Sequence, residues 1–265
     1  SRWPTLRDIP WFPAIGDGAA ANIGSGCATE ENWALTIGTS SAIRVVVSPE
    51  SIVPPMGLWL YLVDAKRGLL GGALSEGGNV FAWMSNTLRL PSLAEAEPRV
   101  AAIPPDGHGL TILPFISGER SLGWHAAVRA TVAGIHVRTT PQDLLRAAVE
   151  ALAYQLAAVY DELNTALETH EIAPTLVGSG GALLSSSIMQ NVIADALNTP
   201  LHPSLAHEAS ARGAALLALE ALSVIPDVAQ VPLDTAPPIL PDETNHAIYR
   251  LAAGRQWELY HKLLG

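Results

Sequence analysis

The feature that most limits what this chain can become is a change of hydrophobic period near its midpoint. Before it, the runs Trp33 to Ile37, Ala42 to Val47, Leu58 to Val63 and Leu69 to Leu74 are short, apolar and separated by Gly, Ser, Pro or charged residues. They predict consecutive strands in an antiparallel meander. From Pro141 to Leu167 the period becomes helical, with Leu144, Leu145, Ala148, Leu152, Leu156, Val159 and Leu163 on one face and Pro in the first turn. Beyond it the pattern alternates: a strand at Thr175 to Val177, a glycine turn, a helix over about 186–197, a short strand near Leu201 and an Ala/Leu-rich helix over about 209–222. Pro226 to Pro241 reads as an extended surface connection. Asn245 to Leu264 reads as a closing helix that packs through Tyr249, Trp257 and Leu259. Strands in series followed by alternating strands and helices predict an α/β architecture, a mixed sheet with helices on both faces.

Composition narrows the partners. A chain of 265 residues, 49% hydrophobic, buries a real core as one large domain or two small ones. Its formal net charge is −10 and its only lysines are Lys66 and Lys262, which argues against a broad basic face for nucleic acid. An anionic ligand must then be held locally, by backbone amides and a metal ion. A single cysteine, Cys27, leaves no intrachain disulfide and no multi-cysteine zinc site, and fits a reducing cytoplasm. No signal peptide is recognisable and no apolar run approaches the ~18 residues that span a bilayer, so a soluble, cytoplasmic protein without a membrane partner is expected.

Four glycine-bearing segments carry the candidate chemistry. In Ile15-Gly16-Asp17-Gly18-Ala19, a carboxylate stands between two glycines ahead of a small-residue stretch able to form a helix. A turn there exposes the Asp17 carboxylate at a cleft, where it could take a proton from an alcohol; an Asp in that setting equally serves as a helix N-cap, and spacing alone does not separate the two. Leu35 to Ala42 places Gly38 and Thr39 in a tight hairpin, suited to phosphate oxygens or simply an ordinary turn. Val177-Gly178-Ser179-Gly180-Gly181-Ala182 follows a strand and precedes a helix; a dinucleotide fingerprint fails there because the third required position is Leu183. Gly71 to Asn79 leads into the helix of Phe81, Trp83 and Leu88, with Gly78 either a ligand contact or a residue of the turn.

Other patterns are weaker. No two of the eight histidines stand at His-x-x-x-His spacing, and His108, His125, His136 and His207 read as surface or satisfied loop residues. The nearest approach to a serine-hydrolase elbow, Gly38 to Ala42, ends in Ala and precedes a strand. Trp83, Trp124 and Trp257 read as core or interface anchors.

Two longer segments give these features a context. Leu113-Pro114-Phe115-Ile116-Ser117-Gly118-Glu119-Arg120-Ser121, and Ala130-x-Val132-x-Gly134-Ile135 followed after seven residues by Asp143-Leu144-x-x-Ala147-Ala148-Val149-Glu150, resemble the C-terminal half of the FGGY carbohydrate kinases. The likeness runs from about Phe12 to about Leu222. It implies an actin-like ATPase (ribonuclease H-like) fold, with ATP and Mg²⁺ as cofactors and a sugar or sugar acid as acceptor. It implies Asp17 as the general base, Gly38 and Thr39 against the β- and γ-phosphates, Gly78 beside the nucleotide, Gly180, Gly181 and Ala182 beside the adenosine, and Ser185 as a polar adenine contact. Glu119 and Arg120 are expected to be structural or cleft-lining, since an internal ion pair explains them as well as substrate contact does, and Glu150 a hydrogen-bonded structural residue. Residues 1–265 correspond to the nucleotide-binding domain alone; the N-terminal sugar-binding domain is the partner expected, a homodimer is left open, and a chain opening at Ser1-Arg2-Trp3 is expected to be a fragment of a longer kinase. The run Ala34 to Arg44 is most similar to gluconate kinases, with xylulose kinases close. A nucleotide-sensing module without catalysis is the alternative of another class.

Overall fold

The computed structural model describes residues 2–168 and 173–264; Ser1 lies outside them. Its frame is a six-stranded mixed sheet. The strands are β1 (Asn32–Ile37), β2 (Ser41–Val47), β3 (Trp59–Leu62), β4 (Gly68–Leu74), β7 (Thr175–Ser179) and β8 (Leu201–Pro203), in the spatial order β3-β4-β2-β1-β7-β8. A separate two-stranded ribbon pairs β5 (Thr111–Leu113) with β6 (Thr131–Ala133). The helices are α1 (Asp17–Gly24), α2 (Gly78–Thr87), α3 (Leu93–Ala101), α4 (Pro141–Leu167), α5 (Gly181–Leu184), α6 (Ser187–Leu197), α7 (Ala209–Ala221) and α8 (Glu243–Leu264).

The expected strands form, but not as a strict meander. β4 pairs β2, and β3 folds back on the outer side of β4. Burial explains the exchange: Gly68-Leu69-Leu70-Gly71-Gly72-Ala73-Leu74 is buried along its whole length, whereas Tyr61 and Leu62 of β3 are exposed. A strand that can be covered on both faces takes the interior, and the half-polar one takes the edge. β1 pairs β7 in parallel and β7 pairs β8 in parallel, through the crossover helices that the helical period announced.

Side chains alternate between the two faces. Ile43, Val45 and Val47 join Trp33, Leu35 and Ile37 under α4 and α6, in the larger core; Val46 and Leu69 face α1 and α7 with Ala19 and Ile23. Helix α4 spans about 40 Å at 1.5 Å per residue. A capping box starts it, Thr140 and Asp143 each accepting the other's backbone N–H, with Pro141 in the first turn. Val159 rests directly on Gly72, where an added Cβ would meet its Cγ1 at 2.6 Å. The Pro-rich connection is less free than expected, since Ile239 and Thr235 make bridges to Leu201 and Ser204 beside β8.

Helices α1 and α7 cross at backbone distance. A Cβ on Gly24 would run into the Ala209 carbonyl, and one on Gly213 into the Ala20 carbonyl. Arg212 closes the crossing by donating to the Gly24 carbonyl at 2.7 Å. At the other end of α1 the Ser210 hydroxyl donates to the Asp17 carbonyl at 3.3 Å, which ties the start of the helix to α7.

Candidate active site

Three of the predicted segments converge at one end of the sheet. The β1–β2 hairpin is closed by Gly38 N–H donating to the Ser40 carbonyl at 2.9 Å. The carbonyls of Gly38 and Thr39 then accept from the first amides of α2, Gly78 N at 2.7 Å and Asn79 N at 3.2 Å, so the hairpin itself caps that helix. A Cβ on Gly78 would stand 2.9 Å from the Gly38 carbonyl oxygen and 3.1 Å from Ala182 Cβ. Gly180, at φ +95°, lies against the Ile37 backbone, 2.6 Å from its carbonyl carbon for an added Cβ. Thr36 and Ser179 share a hydroxyl hydrogen bond of 3.0 Å that ties β1 to β7. The hairpin, the start of α2 and the turn after β7 are thus one backbone-to-backbone assembly.

Its glycines are of two kinds. Gly180, Gly77 and Gly78 are needed because backbone presses on them, whereas a Cβ on Gly38 or Gly181 would meet nothing within 4 Å. Thr39 and Gly181 are exposed on the same rim. Behind them a cavity of about 150 Å³ is lined by Gly78, Phe81, Leu93, Ala182, Ser185 and Met189. It is smaller than the usual pocket of a whole ligand, and its apolar walls suit one flat ring with the remainder in the open. Ser185 is exposed at its edge and donates only a long 3.4 Å hydrogen bond to the Ala182 carbonyl.

Two carboxylates that the sequence reading passed over, buried Glu76 and half-buried Glu97, brace this corner. Glu76 accepts from Ser117 N at 3.1 Å, and its carbonyl accepts from the Ser41 hydroxyl at 2.7 Å, joining the hairpin to the loop of residues 114–121. Burial pushes its carboxyl up from 4.5 to about 7, against the lowering pull of the Ser117 N–H. Glu97 of α3 accepts from the hydroxyls of Ser186 and Ser187 and from Ile188 N at 2.9 Å, completing the start of α6. A lone acid inside an apolar, glycine-rich run was the signal for Glu76.

Asp17 is not a cap. Gly16 occupies the N-cap position of α1, and Asp17 follows as its first residue, exposed, with Oδ1 accepting from Gly18 N at 2.8 Å. No side-chain hydrogen bond joins it to the hairpin among the described residues. Its neighbours are Arg44 of β2 and Tyr61 of β3, both of which feel its charge. The loop expectation also changes: Glu119 and Arg120 do not pair. Glu119 is buried and accepts from Tyr260 at 2.8 Å and Gly123 N at 3.1 Å, while Arg120 is exposed. Trp83 and Trp124 are partly exposed rather than core; Trp124 anchors by donating to the Gly57 carbonyl.

Glu150 behaves as expected, fully buried, accepting from Arg146, Tyr154 and Asp106 N and bonded to His108. Asp106, His108 and Glu150 could in principle bracket a metal ion. They are instead satisfied by Arg146, Tyr154 and Arg255.

Residues 33–222 match the model of the C-terminal domain of the FGGY family of carbohydrate kinases. The chain belongs to that family. A gluconokinase of Bacillus subtilis is 24% identical over 82% of the chain and 44% of its own length. An apulose kinase of Pectobacterium atrosepticum is 30% identical over 94% of the chain and 50% of its own length. Among solved structures, a ligand-bound xylulose kinase from Lactobacillus acidophilus superposes with a TM-score of 0.82 at 26% identity, over 93% of the chain and 50% of its own. The fold is the actin-like ATPase fold of this family. The chain spans about half the length of the curated relatives it matches, and Asp17 lies outside the residues that the family model covers. No helix among the described residues is long and apolar enough to cross a membrane.

Proposed function

We propose that this chain is the C-terminal, nucleotide-binding half of a cytoplasmic kinase that phosphorylates a hydroxyl of a sugar or sugar acid, gluconate first and xylulose next. The observation that carries the reading is the exposed rim of Gly38, Thr39 and Gly181, where missing side chains leave backbone open beside a small apolar cavity. Backbone amides and a threonine hydroxyl suit phosphate oxygens, and the cavity of Phe81, Leu93 and Met189 suits a purine, with Ser185 at its edge.

ATP carrying Mg²⁺ supplies the γ-phosphoryl group and the charge neutralisation that transfer needs. The fit of the metal is limited on this chain's side, because Asp17 is exposed at the start of α1 with no hydrogen bond to the hairpin among the described residues, and Glu76 is buried and bonded to Ser117 N. Asp17 takes the proton of the acceptor hydroxyl. Its Oδ1 is held by Gly18 N, which aims the carboxylate without neutralising it. Gly38 and Thr39 position the transferring group, in a reaction that rests on positioning and electrostatics. The acceptor binds between this domain and an N-terminal domain supplied by the rest of the enzyme.

A coupled ADP-release assay on the full-length protein, offered gluconate, xylulose, glycerol and ribulose with Mg²⁺, tests the reading. Turnover on one of them supports it. Silence on all four with ATP still bound would favour a nucleotide-sensing module.

A further inference from the structure

The face of the sheet turned toward α1 carries a cation, Arg44, that forms no ion pair among the described residues. Arg44, Gly71 and Trp59 are register partners across β2, β4 and β3, and so lie in one row. Gly71 makes the row possible, since a Cβ there would stand 3.0 Å from the Trp59 ring and 3.1 Å from Arg44 Cγ. The Arg44 side chain therefore lies low across the sheet and reaches the first turn of α1. A Cβ on Gly18 would be 3.5 Å from both Nε and Cζ of Arg44 and 3.3 Å from the Tyr61 hydroxyl. Tyr61 in turn stacks on Trp59, ring centroids 4.9 Å apart, which steadies its hydroxyl beside the guanidinium.

Arg67, Arg146, Arg250 and Arg255 all pair with carboxylates. Among the described residues Arg44 makes no side-chain hydrogen bond and no ion pair, although it is more than half-buried. Asp17 is near enough to stabilise its charge but outside ion-pair distance, and Arg120 is near enough to repel it. This unpaired cation stands in a chain whose net charge is −10. A partly desolvated cation without a partner is costly, and a ligand anion would relieve that cost.

On the kinase reading above, we propose that Arg44 determines acceptor specificity by receiving the carboxylate of a sugar acid, with the Tyr61 hydroxyl beside the same anion. The planar guanidinium offers a carboxylate two parallel hydrogen bonds. Phosphate is the weaker fit. Arg44 lies three residues into β2 from Ser41, so its Cα is about 10 Å along the strand from the hairpin end at 3.3 Å per residue. The phosphates belong at that end, so an anion received by Arg44 is the part of the acceptor remote from the phosphates.

The test compares gluconate with its neutral amide in the full-length protein. Wild type should prefer gluconate by at least about thirtyfold in kcat/KM, as expected for a charge-assisted bidentate contact. Arg44→Gln should lower kcat/KM for gluconate about a hundredfold, while the amide and the KM for ATP move by less than about threefold. Arg44→Lys should restore part of the loss, and Tyr61→Phe should weaken gluconate alone by roughly three- to tenfold. Equal losses on gluconate and the amide, or no preference between them in wild type, would overturn the proposal; if Arg44→Gln fails to fold by thermal melting, Tyr61→Phe with no selective effect does so. Turnover of xylulose or glycerol with none of gluconate leaves the kinase standing and removes the carboxylate assignment. Turnover of no acceptor removes both.

Discussion

The crossing of α1 over α7 and the rim beside the β1–β2 hairpin are both built on glycine, for opposite reasons. At the crossing, Gly24 and Gly213 are pressed by the carbonyls of Ala209 and Ala20, and the missing side chains let two helices touch. At the rim, Gly38 and Gly181 face open space, so packing does not require them to be glycine. The first pair is explained by the fold alone; the second is not, and on the proposed reading it leaves the backbone open to a nucleotide. A glycine-rich sequence therefore does not mark a ligand site until the space above each glycine is known.

The sharpest break of that comparison is a side chain at the crossing. Gly213→Val should cost about 3 kcal/mol or more, because the obstruction is backbone carbonyl that cannot rotate away. The melting temperature should fall by roughly 5 °C or more in a domain of this size; an unchanged melting temperature would mean the helices do not touch there.

Next is the brace between rim and loop. Glu76 has its folded-state pKa raised from 4.5 to about 7 by burial, so the stability it contributes is fully present below about pH 4.5, falls as pH rises through 7 and is flat above. Glu76→Gln keeps an acceptor for Ser117 N and should flatten that slope, leaving the variant more stable than wild type at pH 8 by up to about 3 kcal/mol. Melting curves at pH 5 and pH 8 check the sign. The α1–α7 crossing has no part in this pH dependence, which separates the two regions again.

The smallest stability effect belongs to the open rim. Gly181→Val should change stability by less than about 0.5 kcal/mol to 1 kcal/mol, while weakening ADP binding about tenfold or more. Calorimetric titration of ADP reads the second quantity. A variant that binds ADP like wild type would show that the open glycine serves nothing, and the comparison would lose its functional half.

Much of this was legible in the sequence, because short apolar runs and a 27-residue helical stretch leave few alternatives. The exchange of β3 and β4 was not, since which strand is covered on both faces depends on Val159 meeting Gly72 across 87 residues. The segments of Gly38, Gly78 and Gly180 to Ala182 were each ambiguous alone; their convergence needed the hairpin carbonyls to cap α2. Spacing could not separate base from cap at Asp17, and the structure gives the cap to Gly16. Arg44 stood in view as the one charge within Ser-Ala-Ile-Arg-Val-Val-Val, but its meaning lay in cross-strand register with Gly71 and Trp59. Long-range register of that kind is written in no local pattern.

The central claim is that an exposed, uncapped carboxylate at the start of α1 works with the nucleotide rim as a general base. Asp17→Asn in the full-length protein tests it most directly, with turnover and ATP affinity measured on the same preparation. The account expects kcat to fall by about 10²–10⁴ with ATP affinity unchanged, because the amide keeps the position and loses the basicity. Wild-type turnover in that variant would contradict it.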